Sequence, residues 1–442
     1  MGKNINAVGD GKPESREIAR SKGWLALSPV ILFLLLYVAV SVILDDFYKM
    51  PIAVALLVAS AWSVLLLRRR PLLKRIEVFS RAAGHSNILY MIWVFILAGA
   101  FSAMAGDIGS VDATVALALR AFPPQFVVPM LFFAACFISL SIGTSVGTVV
   151  ALTPLATQIA GAAGESVPFY VAVVLGGAFF GDNLSFISDT TIAATRSQGC
   201  DMSDKFKANL WIALPAALLT MGIYIIHSLD ATPVSLPPAS DPLLILPYIV
   251  VLATAILGIN VTVVLSLGIA SAIILGLTKG MAATDLATSA GAGIDGMGNL
   301  IIITLLAAGM LGMIKELGGI RFLLQGLTRH VSGRRGGQTV IALLTAVVNL
   351  CTANNTVAII TVGSISRDIS QRYGIDPRKT ASLLDSTSCI VQCLIPYGAQ
   401  TLLATSLAGI SPAAPFPYLY YPFALALMVI LSIIFLFPRR LN

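Results

Sequence analysis

The residues best suited to chemistry lie in a short polar segment of a long apolar run. Between Val167 and Ala194, Asp182 and Asp189 stand among hydroxyl and amide side chains. A carboxylate at bilayer depth costs several kcal/mol unless it is partnered, so such residues mark ion or solute sites. Oxygen ligands suit a hard cation such as sodium. Burial disfavours the charged form of a carboxylate, so a proton can compete with the cation for the same group.

The composition places the chain in a membrane. Of its 442 residues, 57% are hydrophobic and 11% are charged. About twenty consecutive apolar residues span a bilayer, and runs of that length recur along the chain. The net charge of +7 comes from short basic runs such as Arg68 to Arg70 beside apolar spans. This pattern is typical of cytoplasmic membrane loops, so membrane lipid is the expected surrounding and nucleic acid is not an expected partner.

The five cysteines indicate neither a metal centre nor a disulfide. They lie in or beside apolar runs, and no second cysteine or histidine pair accompanies Cys389 and Cys393. Buried small side chains are the simpler interpretation. We therefore expect no resident cofactor, with sodium ions and protons as transported species.

Two apolar runs, 125–160 and 338–365, are too long and too interrupted to be simple helices. The first is broken at Ser141 to Thr148 and the second at Cys351 to Thr356. If both runs are re-entrant hairpins, every basic cluster falls on one side of the membrane. We therefore predict an all-α polytopic membrane protein with about ten transmembrane helices, two re-entrant hairpins and both termini in the cytoplasm. A bacterial inner (plasma) membrane is the expected location.

The same order of elements occurs twice, which predicts two inverted repeats. Each repeat has three scaffold helices, a hairpin, a broken helix and a closing helix. We expect Asp182 to correspond to Asp385, and Thr148 to Thr356. The predicted organisation is a cytoplasmic N-terminal tail (1–23), a first repeat (24–228), an external linker (229–241), a second repeat (242–437) and a cytoplasmic C-terminus (438–442).

The candidate ion- or substrate-binding residues belong to the hairpin tips and the broken helices. They are Asp182, Asn183, Ser185, Ser188, Asp189, Thr190, Gly143, Thr144, Ser145, Thr148, Thr352, Asn354, Asn355, Thr356, Asp385 and Ser386. Asp189 and Asp182 are the expected ligands of a transported sodium ion.

Structural roles stay open beside these. Asp182 could cap the second half-helix, and Asp385 could pair with Lys379 or Arg378. Gln392 and Gln400 could line a substrate path or bond between helices.

These motifs resemble the NhaC-type sodium/proton antiporter family of the ion-transporter superfamily. The resemblance rests on Gly181 to Ser185 running into Ser188 to Thr191, on Gly143 to Thr148, and on the stretch from Gly374 to Pro396. It implies a secondary transporter with paired hairpins and broken helices, often exchanging sodium for protons. Related folds are often dimers, and similar families include carriers of malate, lactate and amino acids.

Two transport hypotheses follow, and an enzyme is not expected. The first is sodium/proton exchange by alternating access. The second is sodium- or proton-coupled transport of a small organic anion or amino acid, with Asn354 and Asn355 contacting a substrate carboxylate. An aspartyl intramembrane protease would need facing aspartates but would have no use for duplicated polar hairpins.

Overall fold

The computed structural model describes residues 20–43, 51–121, 123–142, 144–185, 188–229, 241–257, 259–328 and 332–437. Within these ranges the chain forms α-helices and two short 3-10 turns, and no strand, which confirms the all-helical prediction. Most of the predicted N-terminal tail and linker, and all of the predicted C-terminus, lie outside the described residues.

Ten helices precede the residues of the predicted linker. They are α1 Arg20–Ile43, α2 Ile52–Leu66, α3 Leu72–Ala83, α4 Ser86–Asp107, α5 Ser110–Ala121, α6 Pro124–Ile142, α7 Ser145–Ala163, α8 Val167–Leu184, α9 Asp189–Gln198 and α10 Met202–His227. Ten more follow it. They are α11 Leu246–Ile256, α12 Val261–Thr278, α13 Ala283–Gly296, α14 Gly298–Glu316, α15 Gly319–Thr328, α16 Gly333–Thr352, α17 Asn355–Tyr373, α18 Pro377–Leu394, α19 Ala399–Ala408 and α20 Tyr420–Ile434.

The chain is embedded in a membrane by its apolar helices. Among the described residues, 7 helical stretches are long and apolar enough to cross a bilayer. Two of them, Val167–Gln198 and Pro377–Ala408, each take both parts of a broken helix together. The count of about ten crossings and the re-entrant path of the two hairpins stay predictions.

Both hairpins turn where the sequence predicts. α6 ends at Ile142 and α7 begins at Ser145, after Thr144 in an extended conformation. The second turn places Ala353 at a φ of 49°, in the left-handed region that few non-glycine residues adopt. Asn354 then caps α17 by accepting a 2.9 Å hydrogen bond from the Val357 N–H.

The helices around the two hairpins repeat with a constant register. The bounds of α17, α18 and α19 follow those of α7, α8 and α9 at an offset of 210 residues, from Ser145 and Asn355 onward. This register pairs Asp182 with Gln392, whereas the sequence pattern pairs it with Asp385. The equal helix lengths support a repeat, and its inverted orientation stays a prediction.

The two halves are interlocked rather than side by side. α6 packs along α8, and α16 packs along α18. In addition, α7 contacts α19 of the second half, while α17 contacts α9 of the first half. Each hairpin therefore rests partly on the broken helix of the other half, and the four helix starts meet in the middle.

Small residues let the first hairpin approach its broken helix closely, as is common between membrane helices. A Cβ added at Gly177 would lie 2.4 Å from the Ala135 Cβ and 2.9 Å from the Phe132 carbonyl oxygen. The Ser139 hydroxyl also donates a 2.6 Å hydrogen bond to the Ala178 carbonyl oxygen. The separation of α6 and α8 is thus set by glycine.

We expect Gly177→Ala to destabilise the protein, since the added methyl group overpacks the contact at a cost of about 1–3 kcal/mol. Gly222→Ala on α10 is the matched control, because nothing lies within 4 Å of a Cβ there. Thermal unfolding of the purified protein in detergent checks the prediction. Equal melting temperatures for the two variants would contradict the close contact.

Candidate ion and substrate site

A cavity of about 970 Å³ lies where four helices begin. Its lining includes Ser145 at the start of α7, Asp189 at the start of α9, Asn355 at the start of α17 and Ala399 at the start of α19. Helix N-termini carry a partial positive charge, so this arrangement favours negative groups. Asp182 also lines the cavity, and two carboxylates therefore lie in it.

Asp182 is fixed to the first hairpin tip. Its carboxylate, in a side chain with the residue only 5% exposed, accepts hydrogen bonds from the Ser145 N–H at 2.9 Å and the Ser145 hydroxyl at 2.6 Å. Asp182 therefore satisfies the start of α7. The start of α9, which the sequence assigned to Asp182 as a structural alternative, is capped by Ser188 through the Thr191 N–H.

A chain of amide hydrogen bonds connects Asp182 to the second hairpin tip. The Gln400 amide donates to the Ser145 hydroxyl oxygen at 3.1 Å, and its own oxygen accepts from the Gln392 amide at 3.0 Å. Gln392 also donates to the Ala353 carbonyl oxygen at 3.0 Å. Both roles that the sequence left open for these glutamines are therefore present, since they line the cavity and bond between helices.

Asp189 is the accessible carboxylate of the cavity. It is exposed, and none of the hydrogen bonds or ion pairs among the described residues involves its carboxylate. It begins α9, whose positive end stabilises its charge. An incoming cation or proton can therefore reach Asp189 without first breaking a protein contact.

Asp385 does not face the cavity. It is fully buried, and its carboxylate lies 2.6 Å from the Lys205 ammonium and accepts a 2.9 Å hydrogen bond from Asn209. The prediction of Asp385 as an ion ligand is therefore not supported by its position. Lys205 is 0% exposed, although the sequence pattern places it in a cytoplasmic loop.

The two partners expected for Asp385 are engaged elsewhere. Arg378 pairs with Asp376 at 2.7 Å, and its hydrogen bonds hold the pKa of the Asp376 carboxyl below its ordinary value. Lys379 is buried and donates to the Ser432 hydroxyl at 2.8 Å. Sequence proximity to Asp385 was therefore a poor guide to pairing.

Lys205 also closes the carbonyl end of α8. Its ammonium donates to the Asn183 carbonyl oxygen and to the Thr191 hydroxyl, both at 2.6 Å. Asn209 donates to the same Asn183 carbonyl at 2.9 Å. The sequence-based expectation was that free carbonyls at this break would coordinate sodium, but a lysine ammonium already occupies that position.

The cavity collects part of the predicted set. The candidates that line it are Thr144, Ser145, Asp182, Asp189, Thr190, Asn354, Asn355 and Thr356. Those outside its lining are Asn183, Ser185, Ser188, Thr148, Thr352, Asp385 and Ser386. Gly143 lies outside the described residues. Ser185 and Ser188 instead hold the break together, since the Thr191 hydroxyl donates to the Ser185 carbonyl at 2.8 Å and Ser188 to the Asp182 carbonyl at 3.0 Å.

Lys205, Asn209, Tyr90, Arg196 and Asn260 are absent from the sequence-based candidate set. Tyr90, Arg196 and Asn260 line the cavity, and the Tyr90 hydroxyl donates to the Asn260 side chain at 3.3 Å. Lys205 and Asn209 stand one helical turn apart, and this spacing was the available signal for a shared polar face.

We expect Lys205→Met and Asp385→Asn each to destabilise the protein by about 3–5 kcal/mol, because each strands a buried partner. The double variant should lose less than the sum of the two. Lys207→Met is the control, since Lys207 is 76% exposed and lies 4.0 Å from Asp204. Thermal unfolding of the four proteins gives the comparison, and additive losses would argue against a coupled pair.

Comparison with known proteins agrees with this architecture. A model of the Na+/H+ antiporter family matches residues 78–229 and 239–438. The chain is 24% identical over 375 residues to the Na+/H+ antiporter NhaC of Alkalihalophilus pseudofirmus, covering 77% of this chain and 80% of that protein. It is 21% identical to the arginine/ornithine antiporter ArcD of Halobacterium salinarum, covering 79% and 78%. It is 23% identical to the malate-2H+/Na+-lactate antiporter of Bacillus subtilis, covering 91% and 94%.

One solved structure is similar only at a low level. The YdaH transporter of Alcanivorax borkumensis aligns over 93% of this chain and 99% of its own, with a TM-score of 0.41 and 16% identity. We base no argument on it. The family match, in contrast, spans both hairpins, both broken helices and the cavity between them. The chain therefore belongs to the Na+/H+ antiporter family.

Proposed function

We propose that the protein exchanges sodium for protons across a bacterial inner membrane by alternating access. The observation that carries the proposal is the position of Asp182 and Asp189 on either side of one helix break, facing one cavity. Sodium and protons are both substrates here, and no resident cofactor is part of the proposal.

The two carboxylates have different parts in this exchange. Asp189 is open to the cavity and is the first ligand that an entering cation meets. Asp182 holds the hairpin tip through Ser145, so a change in its protonation or ligation alters a contact that positions α7. Oxygen atoms of Thr144, Ser145 and Thr190 are near enough to the cavity to complete a sodium shell.

Competition for the carboxylates gives the coupling. A sodium ion favours their ionised form, whereas a proton neutralises them, so one occupant displaces the other. Either occupant reduces the negative charge of the cavity and lowers the cost of moving the site through the bilayer. Lys205 cannot substitute for the transported ion in this step, because it is bound to Asp385 outside the cavity lining.

A coupled carrier of a small organic anion or amino acid is the second candidate. The helix starts in the second half favour it: the first turns of α17 and α19 contain no acidic residue. Relatives named for arginine, ornithine, malate and lactate transport agree with such a substrate. Stimulation of flux by an organic solute separates the two candidates. The homodimer that the resemblance implies stays a prediction.

We expect Asp189→Asn to abolish sodium-dependent proton flux, because the amide cannot exchange charge with either ion. Flux is measured in proteoliposomes with an imposed pH gradient, adding sodium, lithium and potassium in turn. Asp112→Asn is the matched control, since Asp112 is exposed on α5 and does not line the cavity. Full activity of folded Asp189→Asn would remove Asp189 from the mechanism.

The proposed orientation, with both termini in the cytoplasm, has its own test. A cysteine replacing the exposed Gln371 near the end of α17 should react with an impermeant maleimide from the cytoplasmic side alone. The background carries Cys200→Ser, because the other four cysteines are buried. Labelling from the outside would reject the hairpin topology.

A further inference from the structure

The two hairpin tips present equivalent donors to the same cavity, but the protein supplies a carboxylate to just one of them. Under the offset of 210 residues, Ser145 corresponds to Asn355 and Asp182 to Gln392. At the first tip, the Ser145 N–H and hydroxyl bind the Asp182 carboxylate at 2.9 Å and 2.6 Å. The fold thus contains an example of how such a tip holds a carboxylate.

At the second tip, Asn355 offers a backbone N–H and a side-chain amide at the start of α17. The residue is 6% exposed and lines the cavity. Its amide oxygen accepts a 3.0 Å hydrogen bond from the Thr356 N–H, which fixes the amide and leaves the NH2 group as a donor. Among the described residues, no acceptor binds this NH2 group or the Asn355 N–H.

No protein carboxylate occupies the equivalent position. Gln392 stands where Asp182 stands in the first half, and it donates to the Ala353 carbonyl oxygen and to Gln400. The first turns of α17 and α19 contain no acidic residue, so their positive ends lack the compensation that Asp182 and Asp189 give to α7 and α9. The guanidinium of Arg196 lines the same cavity and adds positive charge.

We propose that the second hairpin tip binds the carboxylate of a small organic solute, with the Asn355 N–H and side-chain amide as its donors. This inference rests on the proposed transport through the same cavity and names a substrate class for it. The solute carboxylate lies opposite the cation site of Asp182 and Asp189. A volume of about 970 Å³ accommodates a small organic acid beside an ion.

Binding to the purified full-length protein tests the proposal without a transport assay. Thermal unfolding in detergent with sodium present is measured while L-lactate or L-alanine is titrated. L-lactamide and L-alaninamide are the matched compounds, since each has the same backbone without the carboxylate. We expect the melting temperature to rise with at least one acid and not with its amide. Equal effects of each acid and its amide would overturn the proposal.

Two substitutions at the tip locate the site. Asn355→Asp puts a carboxylate where the solute carboxylate would bind, and it should weaken binding of the effective acid by about tenfold or more. Asn355→Ser copies Ser145 of the first tip and should stay within about threefold of the wild-type affinity. Wild-type affinity in Asn355→Asp, or an equal loss in Asn355→Ser, would contradict the assignment.

The failure of this inference is distinguishable from that of the proposed exchange. Sodium-driven proton flux of the wild-type protein, measured without any organic acid, tests the exchange alone. Acid binding without that flux supports the tip as a carboxylate site while rejecting sodium/proton exchange. Flux without acid binding keeps the exchange and rejects the carboxylate site. A response to alanine and not lactate, or the reverse, identifies an amino or hydroxy acid.

Discussion

A helix broken inside a bilayer leaves backbone carbonyls with no water to bond, and the rest of this structure depends on how that demand is met. At the first break the answer is Lys205, whose ammonium binds the Asn183 carbonyl, the Thr191 hydroxyl and the Asp385 carboxylate. One side chain of α10 thereby joins α8, α9 and α18. The break can stay open towards the cavity because its other side is closed.

The consequence is a division of labour among the three buried aspartates. Asp385 balances Lys205 and gives the break its stability. Asp182 holds the first hairpin tip, and Asp189 faces the cavity. A cation that reached the carbonyls of α8 would have to displace an ammonium group already bound there. Ion exchange is therefore confined to the side of the break where Asp189 lies.

Much of the architecture could be predicted from the sequence, because the clues were local. Hydrophobic runs give helices, and polar interruptions of such runs gave both hairpin tips. Asp182 and Asp189 were found for the same reason, since charge within an apolar segment is conspicuous. Asp385 was conspicuous too, but its partner Lys205 is 180 residues distant and belongs to a run of basic residues that resembles an ordinary loop.

The register of the repeat was harder to predict. Pairing Asp182 with Asp385 matched residue types, whereas the helix bounds align Asp182 with Gln392. Type matching fails where the two halves have diverged in charge, and this difference is what makes one side of the cavity acidic and the other neutral. The contribution of Gln400 was equally hidden, because its contact with Ser145 depends on the crossing of the two halves.

That crossing also has a consequence for how the protein is made. The bond between Ser145 and Gln400 joins residues 255 positions apart, and α7 rests on α19. During synthesis the first hairpin enters the membrane long before its supporting helix exists. The nascent first half must therefore wait with its tip uncovered, and the cavity is assembled only when the ribosome has almost finished the chain.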